Sequence, residues 1–277
     1  MSETTPPMTV AAAQYAPVAD AAENRRLLAE QAARAGDRGA ALLVAPEYAS
    51  YFDGAPSAAA VAAAEPLDGP FAEALRESAR QRSMTIVAGL VERTEAGDRF
   101  RNALLAAGPD GELAAVYRKV HLYDAFGSTE SEFVEPGDPR QDAPVIEAGG
   151  LRVGLQTCYD LRFPESTRRL ADAGAELIAV PAQWVRGPLK ERHWATLIAA
   201  RAIETTAAVV AADHPAPSGV GLSRVVGPDG ETLAGAGAGP ALAVAEIDPA
   251  AIAAARRTNP CLELRRYRVI PADDSEG

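Results

Sequence analysis

Short apolar runs and amphipathic stretches alternate along this chain. Thr9–Tyr15, Ala41–Ala45, Thr85–Val91, Arg101–Ala107 and Leu113–Arg118 have the length and composition of strands. So do Val145–Glu147, Arg152–Gln156, Leu177–Pro181, Ala207–Ala212, Ser223–Val226 and Leu242–Ile247. Asp20–Ala35 carries helical signals and opens on an aspartate suited to an N-cap. Pro70–Arg82 reads as an amphipathic helix, Pro164–Ala173 opens on a proline that fits the first helical position, and Pro249–Arg257 is a last short helix. Pro188–Glu204 is a further helix; its Trp194, Leu197, Ile198 and Arg201 share one face, turned to a sheet or to a dimer partner. Gly108-Pro109-Asp110-Gly111 marks a hairpin, and Gly227-Pro228-Asp229-Gly230 a second tight turn. His121–Ala143 is polar and aperiodic, a long loop of the kind that often carries function. Alternation with hairpins predicts a layered α/β protein with mixed sheets, in one domain over residues 1–277 with flexible ends near 1–7 and 271–277.

Composition narrows the function. The 277 residues are 48% hydrophobic and 23% charged, enough apolar content for a full core. Twenty-seven basic and 38 acidic side chains leave a net charge of −11 with no basic stripe. That excludes a nucleic-acid or anionic-membrane binder as the expected class. No apolar run approaches the ~20 residues of a membrane span, and the first eight residues lack the pattern of a signal peptide. Two cysteines without a CxxC pair make no disulfide framework, so a reducing cytoplasm is expected.

Familiar chemical signatures are absent: no P-loop, no GxGxxG, no GxSxG. His121, His193 and His214 are scattered without an HExxH, so no metal is expected. Three strand ends stand out instead. Leu155-Gln156-Thr157-Cys158 runs from a strand into a turn and then a helix, which suits a nucleophile beside free backbone N–H groups. Cys158 is equally a residue type that simply packs. Glu47 follows the strand before it and suits a general base, or is an exposed loop acid. Lys119 follows Leu113–Arg118 and can stabilise a developing negative charge, or be solvated. Ligands in α/β folds gather where strands end.

Taken together these residues resemble the nitrilase superfamily of carbon–nitrogen hydrolases. Ala45-Pro46-Glu47-Tyr48 is similar to its glutamate motif, Tyr117-Arg118-Lys119-Val120-His121-Leu122-Tyr123-Asp124 to its lysine motif, and Cys158-Tyr159-Asp160-Leu161-Arg162-Phe163-Pro164-Glu165 to the cysteine motif of its amidase branch. The match continues through His193-Trp194, Ala200-Arg201-Ala202-Ile203-Glu204, Gly221-Leu222-Ser223 and Arg265-Arg266, nearly the whole chain. Glu130-Ser131 ahead of Pro136-Gly137 resembles the second glutamate of the branch that holds omega-amidase and deaminated-glutathione amidase. Two departures stand out: a loop between Lys119 and Glu130 shorter than in the animal omega-amidases, which bears on the substrate rather than the chemistry, and Thr205 where many relatives have asparagine.

The resemblance implies an αββα four-layer sandwich, a homodimer or higher homo-oligomer, and no metal or organic cofactor. It implies hydrolysis of a small carboxylate-bearing linear amide, with release of ammonia, through a thioester on Cys158. Glu47 is then the base, Lys119 and the Tyr159 N–H hold the oxyanion, and Glu130 orients Lys119 or the amide. Tyr48, Tyr123, Phe126 and Trp184 are candidate pocket walls. Arg162, Arg186 and Arg201 are candidate carboxylate ligands, with an internal salt bridge as the other expectation for Arg162 and Arg201. Cys261, in an Asn-Pro-Cys loop, is expected to be a bystander thiol. Hydrolysis of an N-carbamoyl amino acid or a nitrile by the same triad is an alternative, and a catalytically silent partner-binding scaffold is an alternative of another class.

Overall fold

The computed structural model describes residues 6–272; of the expected frayed ends, residues 1–5 and 273–277 lie outside the described residues. In chain order the elements are β1 (Met8–Gln14), α1 (Ala21–Gly36), β2 (Leu42–Val44), α2 (Ala58–Ala63), α3 (Pro70–Arg82), β3 (Thr85–Arg93), β4 (Phe100–Ala107), β5 (Leu113–Arg118), β6 (Val145–Ala148) and β7 (Leu151–Leu155). There follow α4 (Pro164–Asp172), β8 (Leu177–Pro181), α5 (Lys190–Thr205), β9 (Ala208–Ala212), β10 (Arg224–Val226), β11 (Thr232–Gly235), β12 (Ala241–Ile247) and α6 (Pro249–Thr258). Asp20 caps α1 as expected, its carboxylate accepting from the N–H groups of Ala22 and Glu23.

The strands form two six-stranded sheets, ordered β12-β1-β2-β3-β4-β5 and β11-β10-β9-β8-β7-β6. β1, β2 and β3 run parallel in the first, and β7, β8 and β9 in the second; the flanking strands are antiparallel. Strand periodicity explains how the layers stack. Val10, Ala12, Leu42 and Val44 face Leu177, Ala179, Ala208 and Val210 in a core between the sheets. The alternate residues Ala11, Leu43 and Ile86 face outward and pack on Leu28, Phe71 and Leu75 of α1 and α3. Ile178, Val180 and Val209 likewise pack on Leu170, Trp194 and Ile198 of α4 and α5. Both faces of the central strands are buried, which is why they read as unbroken apolar runs. The layers are therefore helix, sheet, sheet, helix.

The Trp194–Ile198–Arg201 face of α5 is buried against the sheet, which settles its direction. Arg201 is held internally by Leu161 O at 2.7 and 3.0 Å and by Glu204 at 2.9 Å. The parallel strands deliver their carboxyl ends to one place. Glu47 follows β2, Cys158 follows β7, Gln183 follows β8 and Asp213 follows β9.

Candidate active site

Lys119, the first residue beyond β5, is buried between two buried carboxylates. Its ammonium donates to Glu47 Oε1 at 2.9 Å and to Glu130 Oε1 and Oε2 at 3.0 and 2.9 Å. Both carboxylates have further donors. Glu47 accepts from Asn102 Nδ2 at 2.7 Å and from the Gln183 N–H at 2.7 Å. Glu130 accepts from Tyr48 Oη at 2.6 Å, Asn102 Nδ2 at 3.1 Å and the Tyr123 N–H at 2.5 Å. Every charge is thus paired and hydrogen-bonded, the condition under which ions persist in an interior. Burial acts against the Lys119 ammonium, but Glu130 and Glu47 outweigh it and hold its pKa well above the usual lysine value.

Cys158 sits beside this cluster on a 3-10 turn over Cys158–Arg162, with a φ of +46°. A side chain on a left-handed residue at a strand's end carries local strain, a feature concentrated at functional sites. Asp160 holds the turn in shape. It accepts from the Thr157 N–H at 3.1 Å, from Tyr117 Oη at 2.7 Å and from His121, whose Nδ1 lies 2.8 Å away. Cys158 and Tyr159 occupy the first turn positions, whose N–H groups have no intrahelical acceptor. The thiol donates to Gln183 O at 3.6 Å. Burial pushes the Cys158 pKa well up, Glu47 adds to the rise, and Lys119 opposes it. The resting sulfur is therefore a protonated thiol next to a carboxylate.

These groups form the floor of a cavity of about 740 Å³, within the range of small-molecule sites. Tyr48, Tyr123, Tyr159, Arg162, Trp184 and Arg186 line it as well. Phe126 is 67% exposed and is not part of the lining itself; its ring packs on the lining residues from outside, 6.1 Å from the Tyr123 ring and 3.7 Å from Lys190 Nζ. The loop there turns through positive φ at Phe126 and Gly127. Arg162 makes no salt bridge among the described residues; its guanidinium lies 4.7 Å from the Trp184 ring centroid, with Nη2 3.5 Å from His193 Nδ1. Arg201 does not reach the cavity, and Cys261 lies apart, 3.6 Å from Glu204 O. Among the described residues, no group of three or more His, Cys, Asp or Glu is placed to hold a metal ion, and no helix is long and apolar enough to cross a membrane.

Several residues of the site are not among the candidates read from the sequence. Asn102 bridges both carboxylates from the middle of β4, and a polar side chain inside an apolar strand was its only mark. His214 holds the turn after β2, with Nε2 2.7 Å from Glu47 O and Nδ1 3.1 Å from Ser218 Oγ. Asp213 accepts from the N–H groups of Trp184 at 2.7 Å and Gly221 at 3.0 Å, fixing the loop that carries Gln183. Both follow an apolar strand, so the strand-end criterion that marks Cys158 would have marked them. Gly89 on β3 makes room for Glu47 and Tyr48. A Cβ there would lie 2.4 Å from Tyr48 N and 2.8 Å from Glu47 Cα. Lys190, the first residue of α5, is buried in the cavity wall and donates to Tyr123 Oη at 2.7 Å.

Residues 9–257 match the carbon-nitrogen hydrolase family. A deaminated glutathione amidase of Escherichia coli O157:H7 is 40% identical over 260 residues, 94% of this chain and 98% of that protein. The human deaminated glutathione amidase is 34% identical over 273 residues, 93% of this chain and 82% of that protein. Among solved structures, a glutamate-to-glutamine variant of an amidase from Nesterenkonia sp. AN1 superposes with a TM-score of 0.78 at 30% identity, covering 94% of this chain and 96% of that one. Acrylamide is bonded to the active-site cysteine of that variant.

Proposed function

The chain belongs to the carbon–nitrogen hydrolase family and is an enzyme of that class, and we propose that it hydrolyses a small carboxylate-bearing linear amide through a thioester on Cys158. One observation carries this: a buried thiol, a buried carboxylate and a buried ammonium meet on the floor of a cavity large enough for the substrate.

An ordinary thiol is only a few per cent ionised at neutral pH, and burial lowers that fraction at Cys158. Attack therefore needs a base at the sulfur. Glu47 takes the thiol proton as the sulfur–carbon bond forms. The carbonyl oxygen becomes an oxyanion held by the Lys119 ammonium and the Tyr159 N–H. Glu47 returns the proton to the nitrogen, the C–N bond breaks, and a primary amide releases ammonia. A water then gives its proton to Glu47 and adds to the thioester. The C–S bond breaks, the acid leaves, and the proton goes back to sulfur. One carboxylate serves both halves, as microscopic reversibility allows. Both carboxylate oxygens of Glu130 lie within 3.0 Å of Lys119 Nζ and fix the ammonium's direction.

The test is acid product, amine and ammonia measured by mass spectrometry and enzymatic assay for a panel of amides. The panel holds glutaramate, alpha-ketoglutaramate, an N-carbamoyl amino acid and, on the strength of the relatives' names, deaminated glutathione. Hydrolysis of a carboxylate-bearing amide in the wild type and none in Cys158→Ala is expected. Turnover that survives Cys158→Ala would overturn the mechanism, and a silent panel would overturn the substrate class.

A further inference from the structure

Three cations line the cavity without an ion pair among the described residues: Arg186 is exposed, whereas Lys190 is buried and Arg162 half-buried. Lys190 and Arg162 both line the cavity, and neither lies within ion-pair distance of any carboxylate among the described residues. Glu132 at the rim is exposed and does not reach them. Both cations lie over the ring of Phe126, Lys190 Nζ at 3.7 Å and Arg162 Cζ at 5.4 Å from its centroid. Arg162 Nε is buried without a hydrogen-bond partner.

Lys190 is badly placed for a charge that has only itself to satisfy. It is 5% exposed, it opens α5, where the helix dipole favours anions, and it faces another cation. Burial and Arg162 together lower its pKa. The faces of Phe126 and Tyr123 and the Tyr123 hydroxyl relieve only part of this, since neutral partners return less than a carboxylate does. In a chain of net charge −11 a local basic pair also makes the cavity mouth attractive to an anion that the rest of the surface repels.

We propose that Lys190 is a specificity residue, which with Arg162 receives the carboxylate of the substrate while the amide lies on Cys158. This rests on the amidase reading above, but the binding half of it stands alone. The ligand class is a short dicarboxylate or its monoamide, with one end at the basic pair and the other at the catalytic floor.

Glutarate serves as the probe, titrated by calorimetry into Cys158→Ala and into the Cys158→Ala/Lys190→Met double variant. Glutarate is expected to bind the first and to lose about 10- to 100-fold in affinity in the second, the worth of a charge-assisted hydrogen bond. Lys190→Arg in the same background is expected to recover binding. In the intact enzyme, the kcat/KM ratio of glutaramate over pentanamide is expected to fall by a similar factor in Lys190→Met, carried by KM. Absent glutarate binding to Cys158→Ala, equal affinity in both backgrounds, or a ratio that does not move would each overturn the proposal. Lys190-dependent glutarate binding without any amide turnover would overturn the amidase reading and leave the anion site standing.

Discussion

The floor and the wall of the cavity hold charge in opposite ways. On the floor, Lys119 has two carboxylates within 3.0 Å, and both accept from further donors. On the wall, Lys190 and Arg162 have aromatic faces and each other, and no carboxylate within reach among the described residues. Paired buried charge is machinery set before the substrate arrives: it does not need to reorganise during reaction. Unpaired buried charge is an incomplete interaction that a ligand completes. The same residue type, lysine, is therefore held in two ways within one cavity, and the difference lies in its neighbours.

That contrast can be broken most directly at the sulfur. Cys158→Ala should lower amide turnover by about 10⁶, the scale seen when a nucleophile is removed from a catalytic unit. Cys158 is 7% exposed and its thiol makes weak contacts with Gln183 O and the Glu47 carboxylate, so the fold should survive the loss of one sulfur. Single-turnover assays and a thermal melt on the same sample check both parts. Next in size is Lys119→Ala. It should lower kcat by roughly 10²–10³ through loss of an oxyanion donor. It should also destabilise the fold by about 3–5 kcal/mol, because Glu47 and Glu130 are left buried against each other. Urea titration reads the second effect. A Lys119→Ala protein as stable as wild type would mean the floor is not the tight ionic unit described.

Much of this was legible in the sequence, for a physical reason. Strands buried on both faces are unbroken apolar runs, and their ends are where a polar residue changes the pattern. Glu47, Lys119 and Cys158 are therefore visible individually, and a three-motif resemblance joins them. Pro70–Arg82, Leu113–Arg118 and Leu177–Pro181 have the boundaries the pattern predicts. The short helix Ala58–Ala63 and the strand Thr232–Gly235 were not foreseen. The first is six residues of alanine and valine, without the periodicity of an amphipathic face, and the second exists by pairing with β10. Asn102 and Gly89 were hidden because their roles depend on which strand lies across the sheet, whereas His214 and Asp213 follow β9 and are legible by the same strand-end pattern. Phe126 shows the converse: nearness in sequence to a motif placed its ring against the wall cations but at the exposed edge, not in the lining.

His214 sharpens the comparison through pH. It supports the floor as a neutral ring, since burial lowers its pKa from 6.5 to about 4. The unfolded chain therefore takes up a proton first as pH falls. The stability that the neutral ring contributes is fully present above about pH 6.5 and is lost as pH falls toward 4. Over that interval the loss is about 3 kcal/mol. Urea midpoints at pH 7 and pH 4.5 should fall more steeply in wild type than in His214→Gln, which has no ring to protonate. Equal slopes would remove His214 from the pH response.

The smallest expected effect is the most telling. Lys190→Met removes a buried cation, as Lys119→Ala does, yet its stability should stay within about 1 kcal/mol of wild type. What is lost is one hydrogen bond to Tyr123, worth about 0.5–1.5 kcal/mol, and a cation–π contact with Phe126. What is relieved is burial of the charge, repulsion from Arg162 and a cation at a helix N-terminus, the last alone about 0.3–1 kcal/mol. These nearly cancel because no carboxylate is abandoned by the substitution. Adding glutarate should then separate the two proteins again, raising the melting temperature of wild type more than that of Lys190→Met, since only a bound ligand makes the ammonium worth its position. A loss of several kcal/mol in the ligand-free variant would make Lys190 a structural strut like Lys119, and the distinction between floor and wall would fail.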